Sequence, residues 1–189
     1  MLTEQLAGDN LSTLSKQLGV NENQASSAIA AALPMIVGAL ARNAASPDGA
    51  ASLHNALQKD HDGSILNNLG GFLGSQDNGP GAGILKHVFG SNLGSVIGAL
   101  GQSSGLGNQK AGSLLENLAP IVLGQLGKQT RSGGLDMGAL ASMLGGETKN
   151  INSSTGAAAL SMLNSFLDKN GDGSALDEIG GMLGKFFKR

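Results

Sequence analysis

The sequence predicts an all-α protein of two related multi-helix lobes, each with short glycine-capped helices around one long proline-kinked helix. Apolar residues recur at helical spacing through Leu- and Ala-rich stretches, and no convincing period-two strand interrupts them. The chain also repeats itself. Gly19-Val20, Ala25, Pro34 and Gly38 return as Gly105-Leu106, Ala111, Pro120 and Gly124, each pair 86 positions apart (105 − 19 = 86). A further echo runs from Asp62-Gly63-Ser64, Leu66 and Gly70-Gly71 to Asp172-Gly173-Ser174, Leu176 and Gly180-Gly181, 110 positions on. The difference, 110 − 86 = 24, places an insertion in the second copy. The predicted organisation is a first helical repeat over 1–74, a Gly-rich linker over 75–83, and a second repeat over 84–189 with the insertion near 145–157.

Residues 1–8 fit a short first helix closed by Gly8. Asp9 or Asn10 is placed to cap a second, whose Leu11, Leu14 and Leu18 form a stripe before Gly19 offers a left-handed stop. Asn21 and Gln24 have capping-box spacing, so a long helix is expected from there to about Asn43. Pro34 lies inside it, and Pro120 inside its counterpart from about Gln109 to Thr130. Because proline removes a backbone hydrogen bond and crowds the preceding turn, a kink or a break is expected at each. Ser46-Pro47-Asp48-Gly49 reads as a turn before a helix through Leu53 and Leu57, with Ser132-Gly133-Gly134, Leu140 and Leu144 as its counterpart. Asp60-His61-Asp62-Gly63 reads as a loop, with Ser64 placed to cap a helix carrying Leu66, Leu69, Phe72 and Leu73. Ser75 to Gly83 is dense in turn formers and lacks apolar periodicity, the mark of a linker. Ile84 to Gly90 and Leu93 to Leu100 read as short helices. After a polar interruption from Gly145 to Asn152, so do Ala157 to Leu167 and Ser174 to Phe187.

At 189 residues the chain can bury a core without covalent staples. Its hydrophobic fraction of 40% includes five Phe and neither Tyr nor Trp, so the core must come from close approach of slim helices. Many of the 31 Gly fall inside Leu-rich stretches, where they permit that approach at a cost in helix propensity. A formal charge of −2, with basic residues scattered except for Lys185-Phe186-Phe187-Lys188-Arg189, provides no footprint for nucleic acid. Leu11 to Leu18 followed by Asn21 onward loosely resembles a helix-turn-helix, yet Lys16 and Arg42 are the only basic residues in the first 58, so at most a weak DNA binder is expected. The absence of cysteine excludes disulfides, thiolate zinc sites and a cysteine nucleophile. The opening Met1-Leu2-Thr3-Glu4-Gln5 lacks the basic region of an export signal, so a cytoplasmic location is expected. Ala25 to Ala41 is uncharged, but its 17 residues include Pro34 and Gly38 and fall short of the roughly 20 a bilayer span takes; a buried helix is expected and no membrane span.

Leu18-Gly19-Val20, Ala25-Ser26-Ser27, Leu33-Pro34, Ile36 and Ala39-Leu40 resemble the signature of the YidB-like group of bacterial proteins of unknown function. The second half, from Gly83-Ile84-Leu85-Lys86-His87-Val88-Phe89-Gly90 through Ser104-Gly105-Leu106 to Leu118-Ala119-Pro120-Ile121-Val122-Leu123-Gly124, resembles the related, larger bacterial domain-of-unknown-function 937 family. The resemblance implies an all-helical bacterial cytoplasmic fold and brings no established catalytic residues with it.

Candidate chemistry is sparse. Asp168-Lys169-Asn170-Gly171-Asp172-Gly173-Ser174 opens like a calcium loop, with oxygen ligands at alternate positions and glycine at the sixth. Asp168, Asn170, Asp172 and either Asp177 or Glu178 are the candidate ligands, although Ile179 occupies the position of the closing glutamate. Helix capping by Ser174 with Asp177 explains the same residues. The first-copy counterpart, Gln58, Asp60 and Asp62, is poorer. Of His54, His61 and His87, only His61 with Asp60 and Asp62 resembles a zinc set, and a solvated polar loop is the simpler reading. Gly105-Leu106-Gly107 lacks the strand a dinucleotide site requires. Gly70-x-x-x-Gly74 and Gly94-x-x-x-Gly98 align glycines on helix faces, for packing inside the fold or against a second chain, the former being the simpler expectation. The sequence therefore predicts a non-enzymatic, cofactor-free protein that self-associates or binds another protein, with a calcium-responsive module as the alternative.

Overall fold

A computed structural model of the protein describes residues 2–75, 79–133, 138–140, 142 and 144. The described residues are all-helical, without a strand. The elements are α1 (Leu2–Gln5), α2 (Asp9–Leu18), α3 (Glu22–Asn43), α4 (Pro47–Lys59), a 3-10 segment (Ser64–Asn68), α5 (Leu69–Gly74), α6 (Gly79–Phe89), a 3-10 turn (Gly90–Asn92), α7 (Leu93–Ser104) and α8 (Gly107–Gly133).

Several elements form for the reasons their local sequence gives. Gly19 closes α2 in the left-handed conformation, its own N–H donating to the Lys16 carbonyl and that of Val20 to the Ser15 carbonyl. Gly105 takes the same conformation at the end of α7, 86 residues later (105 − 19). The Asn21 side chain accepts from the Gln24 backbone N–H at 2.8 Å, and its Nδ2 donates to the Gln24 side-chain Oε1 at 3.0 Å, starting α3 as the capping spacing predicts.

Other expectations are corrected. Of the kink or break expected at each proline, the break is overturned: α3 runs through Pro34 and α8 through Pro120, both of them buried. Ser46-Pro47-Asp48-Gly49 is the opening of α4 and not a separate turn. Ser46 accepts from the Gly49 N–H at 3.1 Å, and Pro47 takes the first helical position, where its missing donor is not needed. Its supposed counterpart is different, because Ser132 and Gly133 still belong to α8. Ser64 is not a cap; its own N–H donates to Asp62 at 2.9 Å, and Asn68 caps α5 by accepting from the Gly71 N–H at 3.2 Å. Asp9 and Asn10 do not cap α2, whose N-cap is Gly8 without a side-chain bond. Gly79 to Gly83, read as linker, is the first half of α6.

The two longest helices, α3 and α8, pack on each other and organise the rest. Helices α2, α4, α6 and α7 pack on both of them. One hydrophobic core takes residues from both halves of the sequence, Leu14, Ile36, Leu40 and Leu57 together with Leu85, Leu100, Leu114 and Leu118. Polar ties cross between the halves as well: Lys110 Nζ donates to the Gly19 carbonyl at 2.8 Å, and Asn43 Nδ2 to the Val88 carbonyl at 3.1 Å.

Close approach is concentrated where glycine allows it. A Cβ added at Gly81 in α6 would overlap the Glu116 carbonyl of α8, and one at Gly127 in α8 would overlap the His61 carbonyl. Backbone lies against backbone at both points. At 22 residues α3 is longer than its uncharged stretch, because Glu22 to Gln24 and Arg42 to Asn43 extend it, and by length and composition alone it passes as a membrane-spanning helix. In this fold Ala25, Ala28, Ala32, Met35, Ile36 and Ala39 on it are buried.

Candidate functional site

The end of α3, the length of α4 and the second half of α6 enclose a cleft of about 900 Å³, partly open to solvent. Leu40, Leu53, Val88 and Leu123 contribute apolar wall, and the half-buried Ile84 and Ala56 extend it. Arg42, Asp48, Lys59, Asp60, His61 and His87 bring titratable groups to it. Local structure explains this gathering. The Ser46 cap and Pro47 reverse the chain immediately after α3, so Arg42 in the last turn of one helix faces the same opening as Asp48 in the first turn of the next. The bond from Asn43 to the Val88 carbonyl holds α6 as the opposite wall.

Among these groups the electrostatics are uneven. Burial lowers the pKa of the Arg42 guanidinium, which nonetheless stays a cation in the physiological range. Burial also lowers the pKa of His61 from its ordinary 6.5, partly opposed by the Asp60 carboxylate. The unfolded chain therefore takes up this proton at a higher pH than the folded one. The His61 contribution to stability is complete above pH 6.5 and is lost as pH falls through the folded value. Denaturation followed by far-UV circular dichroism at successive pH values should show this loss, and His61→Asn should remove it. A profile unchanged in that variant would assign the effect to other groups.

The sequence-predicted ligands Asp168, Asn170, Asp172, Asp177 and Glu178 lie outside the described residues, as does the capping Ser174. The first-copy loop is described, and an arginine engages it. Arg131, from the last turn of α8, donates to the Gln58 carbonyl and pairs with the Asp62 carboxylate at 3.7 Å. Asp62 also accepts from the Ser64 N–H, and its pKa is lowered chiefly by these bonds to Ser64. Among the described residues no three His, Asp or Glu gather as a metal site, so His61, Asp60 and Asp62 do not come together as a zinc set.

The glycine faces behave differently from the simpler expectation of packing inside the fold. Among the described residues, added Cβ atoms at Gly74, Gly94 and Gly98 would meet nothing within 4 Å, and one at Gly70 would touch only the Asn10 side chain at 3.4 Å. Glycines used for internal contact instead include Gly63, Gly81, Gly101, Gly124 and Gly127. Sequence reasoning missed these, and it missed the cleft. Arg42 read as an isolated charge because its companions, His61 and His87, come from two other elements.

A bacterial family of proteins of unknown function, DUF937, matches residues 1–129 and 135–187 of the chain. No curated protein and no solved structure matches it.

Proposed function

The chain belongs to the bacterial family DUF937 along nearly its whole length, and from that membership and the fold we propose that it is a non-enzymatic helical protein acting by self-association. The internal duplication enters this reading directly: a surface that one copy of the repeat offers its sibling is also one that a second chain can meet. The observation supporting it most is the open glycine face of α7. Gly94 and Gly98 lie four residues apart on one helical face, and no atom of the described fold covers the positions where side chains would stand. A second helix can approach such a face to backbone distance. Beside it Leu93 and Ile97 are only half-buried, so apolar surface flanks the glycines. Two-fold pairing through this face gives a closed dimer, whereas head-to-tail pairing gives a filament.

Light scattering behind a sizing column tests this, read by refractive index because the chain has neither Trp nor Tyr. The mass should exceed 18.8 kDa and rise with protein concentration. Gly98→Leu, at a position with open space around it, should keep the helical circular dichroism and shift the equilibrium toward monomer. A strict monomer at every concentration would overturn self-association and turn the search toward a different protein as partner.

A further inference from the structure

Arg42 sits in the last turn of α3, where the helix dipole favours a cation, but its side chain also forms part of the cleft wall and is half-buried there. Among the described residues its guanidinium makes no hydrogen bond and no ion pair, although its backbone carbonyl accepts from the Ala45 N–H. Asp48 and Asp60 line the same cleft without pairing with it, and burial is the sole influence on its pKa. Arg131 shows the contrast, since its guanidinium is held by both a carbonyl and a carboxylate. A partly desolvated guanidinium without a counter-ion is an unfavourable arrangement, and a carboxylate arriving in the plane of its fork would offset that cost through two charge-assisted hydrogen bonds. The wall beside it is apolar, from Leu53 and Ile84 to Val88. Pockets that hold free small molecules enclose most of the ligand surface. This cleft is partly open, a shape suited to side chains that project from a larger body.

We propose that the cleft between α3, α4 and α6 seats an acidic-apolar segment of a partner protein, with an apolar side chain against Ile84 and Val88 and a neighbouring carboxylate on Arg42. The recognition is a property of a single chain and does not depend on self-association, so each can fail without the other.

The test is an NMR titration of the isotope-labelled full chain with three probes: acetyl-leucyl-glutamyl-leucinamide, the same peptide with glutamine for glutamate, and hexanoate. The acidic peptide should shift the Arg42 Nε–H and Ile84 methyl signals saturably, and the glutamine peptide should bind about tenfold more weakly, as expected for losing a bidentate charged pair. Arg42→Gln should erase the difference between the peptides. Arg42→Lys, which keeps the charge and loses the fork, should leave an intermediate difference and serves if the glutamine variant does not fold. Equal affinity for the two peptides overturns the proposal, as does discrimination that survives in Arg42→Gln or is undiminished in Arg42→Lys. So does the absence of saturable shifts up to about 10 mM, weaker than the millimolar range of useful recognition. Hexanoate bound more tightly than the acidic peptide would overturn the assignment to protein in favour of a free carboxylate.

Discussion

Replacing Gly127 with alanine should destabilise the fold by about 2 kcal/mol or more, even though alanine is the better helix former by about 1 kcal/mol. The new Cβ would overlap the His61 carbonyl oxygen and lie 3.1 Å from that of Leu57. Neither is the end of a flexible side chain that can rotate away. The Asp60 and His61 N–H groups both donate to the Ala56 carbonyl, at 2.9 and 3.1 Å, and Arg131 clamps the Gln58 carbonyl and Asp62 from the other side. Relieving the overlap therefore means moving the end of α4 off α8 or giving up these bonds. The same substitution at Gly98, measured at concentrations low enough to keep the chain monomeric, should have the opposite sign, raising stability by about 0.5–1 kcal/mol, because within one chain the position is open and only the propensity and unfolded-state entropy change. Urea unfolding followed by far-UV circular dichroism measures both. If the two variants moved the midpoint the same way, the close contact between α4 and α8 would be wrong.

That contrast also shows what was legible in the sequence and what was not. Helix ends were readable because their chemistry is local: Gly19 and Asn21 act within four residues of themselves, and both do what their types predict. Ser46 to Gly49 was misread for an instructive reason. Serine, then proline, then aspartate is as good a start for a helix as it is a turn, and the apolar stripe through Leu53 and Leu57 begins only after the first turn. Gly79 to Gly83 failed differently. Its glycines suggested a linker, but Gly81 is small because the Glu116 carbonyl lies against it, and a helix packed by its backbone carries no apolar pattern at that point. Composition records such contacts without saying which partner they meet. The cleft was illegible for the same reason, since nothing near Arg42 in sequence announces that α6 will stand opposite it.

Truncating Leu118 to alanine should cost about 3–4 kcal/mol, within the range for removing a fully buried leucine side chain. The size of the loss follows from its surroundings. Leu118 has no exposed surface and sits mid-way along α8, which packs against α2, α3, α4, α6 and α7, so a void there removes contacts that neighbours held in place from several sides cannot easily restore by collapsing inward. Natural domains are stable by only about 5–15 kcal/mol, which makes this a substantial fraction of the total. The distribution of the loss is the sharper result. The sequence reading of two repeats, 1–74 and 84–189, predicts units that melt separately, in which case Leu118→Ala would weaken only the second and split the unfolding curve in two. The core contains Leu14, Ile36 and Leu57 in the same cluster as Leu100 and Leu118, and Lys110 and Asn43 tie the halves across it. A shared core of this kind makes the first half lose its support when α8 does. Native-state hydrogen exchange should therefore show the most protected amides of α3 and of α8 losing protection by the same free energy, with unfolding still a single transition. Retained protection in α3 with loss confined to α7 and α8 would mean that the two repeats stand independently after all.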